Sequence, residues 1–435
     1  MTININEIKR KIDKLNKTGF FSIFIATVFS KVITLLGGVV LVRILSKSDY
    51  GTYAYIHNCY SMLFLLNDFG ISSAALQFLT ENSGNEKKQG ILLKYAIKSS
   101  LIATIAIGII FLLSPFFYPY TMDEAKVITP MLFLVPLITT ISGLLSIVLR
   151  ANFENKKYSK LQIFTTAITY VILIIFSMIW GLKGAILSQY VYAIIILIYS
   201  GYLAYDCIKK LKNKDEEKLD KEEKKRFLKY AFASQLNNTI GSLLLIIDTF
   251  LIGIMISRPE AIATYNVGSK IPYVLTFLST CVAIYITPHF VIHNNNPEWL
   301  RRNFKILIKY SVIGFSILCI VLIFASKLIF DVLFGEEYYD AIPIYIVLTI
   351  GLLFTSAIKV PCINILASLR KLKASIIISI SSLIFNFFSN IVFINFFGIL
   401  GAAITTTITN IVVSFIYFIY INKTLKVDWL RQNSE

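Results

Sequence analysis

Five ionisable side chains lie deep inside apolar runs of this sequence: Lys31, Asp68, Asp248, Lys270 and Lys359. A charged residue at the centre of a bilayer-spanning helix costs about 2.5–3.5 kcal/mol on insertion scales, so such residues face partners or water inside a helical bundle. The lysines have the chemistry to hold an anion, and the aspartates to pair with a lysine, carry a proton or bind a cation. Together they predict a polar interior.

The depth of these residues leaves two interpretations open. At a rise of 1.5 Å per residue, Lys31 and Asp68 both lie about 17 Å from the cytoplasmic edge, and Asp248 and Lys270 both lie about 12–14 Å from the outer edge. Each couple has the placement for a structural ion pair, and pairing does not exclude a role in gating or coupling. Lys359 has no acidic residue at its depth, so it is the clearest candidate for a cation that faces an anion.

The elements that position these residues follow from composition. The chain has 435 residues, of which 56% are hydrophobic and 15% charged, and its mean hydropathy is +0.71. These values exclude a soluble domain. Twelve apolar runs predict twelve transmembrane helices. Six of them form an N-lobe at 20–205, and six form a C-lobe at 228–421. The remaining parts are a cytoplasmic N-terminal segment at 1–19, a charged cytoplasmic linker at 206–227 and a cytoplasmic tail at 422–435.

The net charge of +17 is an orientation signal. Most lysines and arginines fall on the side that holds both termini and the linker, so the positive-inside rule places that side in the cytoplasm. No aromatic and basic surface suggests a nucleic-acid partner. The five cysteines are scattered singly, and His289 and His293 have no third ligand beside them, so we predict neither a disulfide nor a metal site.

An internal repeat supports the two lobes. The sequence Gly-Leu-Lys-Gly-Ala at 181–185 recurs as Gly-Ile-Leu-Gly-Ala at 398–402. Six spans separate the copies, and because six is even the two halves share one orientation. The sequence therefore predicts an all-α polytopic membrane protein with two six-helix lobes related by a pseudo-two-fold axis along the membrane normal, an architecture of alternating-access transporters.

Several stretches resemble one known family. They include LLGGVVLVRILSKSDYGTYAY after the middle of the first span, DTFLIGIMISRPEAIATYNVGSKI around the turn between spans 7 and 8, FGEEYYDA before span 10 and FFGILGAAITTTITN at span 12. Their order and spacing are similar to those of polysaccharide-biosynthesis flippases of the O-antigen (Wzx) type, within the MOP superfamily that also holds the MATE drug exporters. The resemblance covers the chain from residue 20 to residue 421.

The resemblance implies a function in the bacterial cytoplasmic membrane. A flippase of this type moves an undecaprenyl-diphosphate-linked oligosaccharide from the inner to the outer leaflet, for assembly of O-antigen, capsule or a related surface polysaccharide. Its partners are the bilayer, the lipid-linked substrate and other assembly proteins such as a polymerase. It is not an enzyme and needs no cofactor, although coupling to H⁺ or Na⁺ stays open. The alternative is an ion-coupled MATE-type exporter of small amphiphiles, which three lysines against two aspartates disfavour.

The function implied by the resemblance gives each candidate site residue a role. We predict that Lys31, Lys270 and Lys359 face the diphosphate, and that the amides of the last two spans face the sugars, because amides suit a ligand with many hydroxyls and little charge. Those amides are Asn386, Asn390 and Asn410. Asp68 and Asp248 are candidates for coupling or charge pairing. Pro136, Pro272 and Pro361 interrupt spans 4, 8 and 10 and are hinge candidates or tolerated kinks.

Overall fold

All regular secondary structure in the described part of the chain is helical. The computed structural model describes residues 20–211, 219–293, 296–369 and 371–432. The predicted N-terminal segment at 1–19 lies outside these residues, as does the middle of the charged linker. The helices of the first half are α1 Phe20–Ile44, α2 Lys47–Leu63, α3 Ile71–Glu81, α4 Glu86–Phe117, α5 Asp123–Met131, α6 Val135–Ala151 and α7 Asn155–Lys210.

The second half begins with two long helices and ends with another. Its helices are α8 Lys221–Met255, α9 Pro259–Ile292, α10 Pro297–Phe324, α11 Ser326–Leu333, α12 Ile342–Phe354, α13 Val360–Ser368, α14 Leu372–Phe397 and α15 Ile399–Gln432. A π-turn, Thr355–Lys359, joins α12 to α13, so these two helices form one interrupted rod.

The apolar helices make this a multi-pass membrane protein. Among the described residues, nine helices are long and apolar enough to cross a membrane, or ten when the bent pair α5 and α6 counts as one span. The predicted count of twelve is not confirmed. Helix α7, with 56 residues, covers two of the predicted runs on either side of a backbone break at Gly181, and α9 is not among the nine.

Contacts divide the chain into two compact units. Unit 1 comprises residues 1–45 and 59–239, and unit 2 comprises 46–58 and 240–435. In unit 1, α7 packs along α1 and α6, and a core of buried apolar residues joins α3, α4, α6 and α8. In unit 2, α15 packs along α12 and α14, with a core shared by α10, α13 and α15. Two of the three unit boundaries therefore fall inside helices, one in α2 and one in α8, and the third lies between α1 and α2.

The repeated glycine motif makes the same turn in both units. Gly181 and Gly398 have φ of 57° and 58° and ψ of −136° and −140°, a backbone conformation that is open to glycine and closed to nearly all other residues. Three residues later, a Cβ on Gly184 or Gly401 would collide with the backbone carbonyl of Phe176 or Phe393. The two copies of the motif therefore share the same backbone conformation and the same close packing.

The predicted second span is broken near its middle. Between α2 and α3 the chain makes a short helical turn, Phe64–Gly70, in which Asp68 and Phe69 have positive φ of 48° and 50° and Gly70 has φ of 77°. Three consecutive left-handed residues cannot continue an α-helix. The break leaves backbone groups that need new partners, and it places Asp68 at the start of α3.

Candidate functional site

A cavity inside unit 2 collects several of the predicted residues. Its volume is about 100 Å³, and it lies among α8, α9, α12, the π-turn, α14 and α15. The leucines Leu244, Leu245, Leu348 and Leu352 and Pro272 form its apolar wall. Its polar lining consists of Tyr273, Thr276, Thr355, Lys359, Asn386, Thr406, Thr409 and Asn410. Within the described part of the chain, no carboxylate lines this cavity.

Lys359 is the only cation in the described lining of the cavity. It is half-buried at the end of the π-turn, and its Nζ donates a hydrogen bond of 3.1 Å to Oδ1 of Asn410 on α15. An ammonium has three N–H groups, so a neutral amide oxygen leaves two of them for another acceptor. The arrangement can therefore bind an anion without first breaking an ion pair.

Asp248 lies behind the cavity in a cluster of hydrogen bonds and is 1% exposed. Its Oδ2 accepts from the hydroxyls of Thr406, at 2.6 Å, and Tyr265, at 2.5 Å, and its Oδ1 accepts from Nδ2 of Asn390 at 2.9 Å. No ion pair joins it to a lysine or arginine among the described residues, so the pairing with Lys270 that equal depth left open is not formed in this structure. Three neutral donors hold the carboxylate instead.

The amides of α14 link this cluster to the cavity. Asn390 donates to Oδ1 of Asn386 at 3.0 Å, and Asn386 donates to the hydroxyls of Thr406 at 3.3 Å and Thr409 at 3.4 Å. Oδ1 of Asn390 is buried and accepts no hydrogen bond from any described residue. Of the three predicted amides, Asn386 and Asn410 line the cavity, whereas Asn390 lies behind it, beside Asp248.

Asp68 acts as a helix cap in unit 1. Its carboxylate accepts from the backbone N–H of Gly70 at 3.1 Å and of Ser72 at 3.0 Å, from the Ser72 hydroxyl, and from the Ser100 hydroxyl at 3.5 Å. The first N–H groups of a helix have no partner within it, and a capping oxygen satisfies them. Asp68 and Lys31 form no ion pair, although both belong to the described part of unit 1.

The other two predicted lysines lie outside the cavity. Lys31 is exposed on α1, whose neighbouring Thr27 accepts a hydrogen bond of 3.2 Å from Gln162 of α7. Lys270 is half-buried in unit 2 with its Nζ 5.4 Å from the centre of the Tyr50 ring, a cation–π contact. The structure therefore brings Lys359, but not Lys31 or Lys270, together with the amides.

The three prolines occupy different local structures. Pro136 lies in the first turn of α6, directly after the 48° bend between α5 and α6. Pro361 lies in the first turn of α13, directly after the π-turn. Pro272 lines the cavity within α9, whose helical assignment runs unbroken from Pro259 to Ile292. Two of the hinge candidates thus adjoin a backbone irregularity, and Pro272 adjoins the cavity.

Sequence reasoning missed two groups of functional interest. Tyr265 donates to Asp248, and the signal for it is that a buried tyrosine hydroxyl needs an acceptor. The second is an ion pair of 2.8 Å between Lys47 and Asp340, which joins two of the stretches that carry the family resemblance. Lys47 also donates to the Glu337 carbonyl and lies over the Tyr338 ring. No periodicity in the sequence connects residues 293 positions apart.

Comparison with known proteins agrees with this fold. An inward-facing MATE family multidrug resistance transporter of the MOP superfamily superposes with a TM-score of 0.74 at 13% identity, covering 92% of this chain and 95% of that one. The lipid II flippase MurJ, in an inward closed conformation, gives 0.71 at 20% identity, covering 92% and 87%. The uncharacterized membrane protein MJ1068 of Methanocaldococcus jannaschii is 24% identical over 424 residues, covering 90% of this chain and 82% of its own length.

The fold is therefore that of a class of multi-pass membrane proteins which includes this MATE transporter and the flippase MurJ. A family model narrows this class, because the model described as polysaccharide biosynthesis protein matches residues 17–290, more than half of the chain. The chain belongs to that family. The resemblance seen in the sequence is thereby confirmed at the level of the family.

Proposed function

We propose that this protein is a flippase that moves an undecaprenyl-diphosphate-linked oligosaccharide from the inner to the outer leaflet by alternating access, for assembly of a cell-surface polysaccharide such as O-antigen or capsule. The family and the flippase and transporter folds of its structural neighbours support a lipid-linked substrate. We assign it to the bacterial cytoplasmic membrane with both termini in the cytoplasm, as the distribution of basic residues indicates.

The observation that carries the proposal is the environment of Lys359. A half-buried ammonium faces a polar cavity, and its bonded partner is the amide of Asn410 instead of a carboxylate. Such a group suits the negative charge of a diphosphate, since hydrogen bonds to ionised acceptors are about twice as strong as neutral ones. A cationic drug would be repelled by the same ammonium, which favours the flippase over the exporter.

The size of the cavity limits what it holds. A volume of about 100 Å³ is well below the about 300–1,000 Å³ of pockets that enclose a drug-sized ligand. An oligosaccharide does not fit in that space. In our proposal the cavity receives part of the phosphate group, with Lys359 and Asn410 as ligands, while the sugars lie elsewhere or enter when the cavity widens.

Asp248 is our candidate for coupling to an ion. A carboxylate that is 1% exposed and held by Tyr265, Asn390 and Thr406 has donors suited to its charged form, yet no cation beside it among the described residues. The unbonded Oδ1 of Asn390 adds a further oxygen to the cluster. Protonation of Asp248, or binding of a cation between these oxygens, would change the hydrogen bonds that link α8, α9, α14 and α15.

Deletion of the gene tests the proposal directly. If the protein is a flippase, lipid extracts of the deletion strain contain accumulated undecaprenyl-diphosphate oligosaccharide in the inner leaflet, and the surface polysaccharide is lost. Wild-type protein restores both, and a Lys359→Met variant restores neither in full. Sensitivity to amphiphilic compounds without accumulated lipid would instead support the exporter and contradict the flippase.

A further inference from the structure

The π-turn that carries Lys359 contains a backbone carbonyl without a backbone partner. In this turn the N–H of Val360 bonds to the carbonyl of Thr355, five residues back. In the same register, the carbonyl of Ser356 requires an N–H from residue 361. That residue is Pro361, and proline has no N–H. The widened turn and the proline together leave the Ser356 carbonyl without a donor in its own helix.

A serine on the neighbouring helix supplies the missing donor. The hydroxyl of Ser279, on α9, donates to the Ser356 carbonyl at 2.6 Å, and both residues are 0% exposed. A buried carbonyl without a partner is unfavourable by about 1–3 kcal/mol, so this bond stabilises the turn. A second hydroxyl, that of Ser414 on α15, donates to the Phe354 carbonyl at 3.0 Å, immediately before the turn.

The register of the turn decides where Lys359 points. A π-turn accommodates one residue more than an α-turn, and one residue corresponds to about 100° of rotation around a helix with 3.6 residues per turn. Loss of the π register would therefore rotate Lys359, which adjoins α13, by about a quarter of a turn relative to α12 and away from Asn410. Thr355, at the opposite end of the turn, lines the same cavity.

We propose that Ser279 is a positioning residue, which holds the π-turn in the register that directs Lys359 into the cavity. This inference rests on the proposed function, because it gives Ser279 a role through the anion-facing lysine. Ser279 does not line the cavity and does not contact Lys359 in this structure. Its effect on substrate is exerted only through the backbone of the turn.

Proteoliposomes with the full-length protein and undecaprenyl-diphosphate oligosaccharide provide the test. We expect Ser279→Ala to raise the half-saturating substrate concentration about fivefold to thirtyfold, the effect of about 1–2 kcal/mol. Ser279→Thr, which keeps the hydroxyl, is expected to stay near wild type. The matched control is Ser188→Ala in unit 1, where the lost hydroxyl also donates at 2.6 Å from a fully buried serine to a backbone carbonyl, that of Ala185.

Two combined variants separate positioning from general damage. In a Lys359→Gln background, Ser279→Ala should have little further effect, because the side chain that it positions is gone. Pro361→Ala restores an N–H at the position that faces the Ser356 carbonyl, so it should recover the affinity lost in Ser279→Ala. Additive losses with Lys359→Gln, or no recovery with Pro361→Ala, would overturn the proposal.

A labelling measurement tests the inference without transport. In a cysteine-free background, Lys359→Cys is treated with a charged thiol reagent, and Ser279→Ala is expected to slow its modification while Ser188→Ala leaves it unchanged. An unchanged labelling rate in Ser279→Ala contradicts the positioning role. Slowed labelling in a protein that transports no lipid-linked oligosaccharide supports the geometry and refutes the proposed function, so the two failures are distinguishable.

Discussion

Lys359 and Asn410 are joined by a hydrogen bond of 3.1 Å between the π-turn and α15 at the wall of the unit 2 cavity. In this hydrogen bond the donor is charged, the acceptor is neutral, and the lysine is half-buried. An incoming phosphate oxygen is a stronger acceptor than an amide, so it can share or replace this bond. Under the proposed function, the pair is therefore a resting arrangement that the phosphate of the substrate would replace.

The first prediction concerns the charge at Lys359. Replacement by methionine keeps an unbranched side chain that is one atom shorter and removes the donor, so we expect the flipping rate in proteoliposomes to fall at least about tenfold, in line with about 1.5–3 kcal/mol for a hydrogen bond to a charged group. Lys359→Arg should retain part of the activity. Lys309→Met is the control, since Lys309 is an exposed lysine of α10 outside the cavity lining. Equal losses in both methionine variants would contradict the assignment.

How far the sequence predicts this site can be judged from Lys359 and its partners. The cost of a buried charge identifies the lysine, and the same periodicity that predicts the helices identifies Asn386 and Asn410. The π-turn is not visible in the sequence, because only Pro361 marks it and most prolines in spans make simple kinks. The hydroxyl of Ser279 is likewise invisible, since its partner is a backbone atom 77 residues away.

The two charge pairs considered from the sequence show where sequence reasoning fails to determine a contact. Equal depth placed Lys31 beside Asp68 and Lys270 beside Asp248, but depth does not determine the direction in which a side chain points around its helix. Asp68 instead bonds to the backbone at its own break, and Asp248 to neutral donors. The break itself has a partial local signal, because Asp68 and Gly70 belong to residue types that tolerate left-handed backbone, whereas Phe69 between them does not.

The second prediction tests coupling at Asp248. In Asp248→Asn the carboxylate is lost, and at least one of the three donors on Tyr265, Asn390 and Thr406 loses its acceptor. We expect the variant to lose any dependence of flipping on an imposed proton or sodium gradient that the wild type shows. The measurement compares initial rates with and without each gradient. Asp206→Asn, which alters an exposed aspartate of α7, should keep the wild-type dependence; a gradient response that survives in Asp248→Asn would argue against coupling here.

The third prediction separates Asp68 from Asp248. Because Asp68 caps α3, Asp68→Ala should lower the thermal unfolding midpoint in detergent, through a loss of about 1–2 kcal/mol typical of a helix cap. Asn also caps helices and tolerates left-handed backbone, so Asp68→Asn should be closer to wild type. If the asparagine variant is as unstable as the alanine variant, the charge itself is needed and the capping role is insufficient.

The fourth prediction addresses the ion pair between Lys47 and Asp340. Exposed ion pairs contribute about 0–1 kcal/mol, but the Lys47 side chain is only 16% exposed and also contacts the Glu337 carbonyl and the Tyr338 ring. We therefore expect a double-mutant cycle of Lys47→Ala and Asp340→Ala to show coupling of about 1 kcal/mol in unfolding free energy. Thr264 also donates to Asp340, at 2.9 Å, so Asp340→Ala should be the more damaging single variant. If the losses of unfolding free energy in the two single variants simply add in the double variant, the ion pair does not contribute to stability.

The last prediction uses the repeated glycine motif. A Cβ on Gly401 would collide with the Phe393 carbonyl, and one on Gly184 with the Phe176 carbonyl. Backbone cannot move aside as a flexible side chain can, so Gly401→Ala and Gly184→Ala should each destabilise the protein by about 1–3 kcal/mol, typical of overpacking. Gly314→Ala is the control, because a Cβ there meets no atom within 4 Å and alanine favours a helix by about 0.5–1 kcal/mol. Thermal midpoints of the three variants provide the measurement. A destabilised Gly401→Ala beside an unaffected Gly184→Ala would show that the two copies of the motif do not carry the same packing constraint.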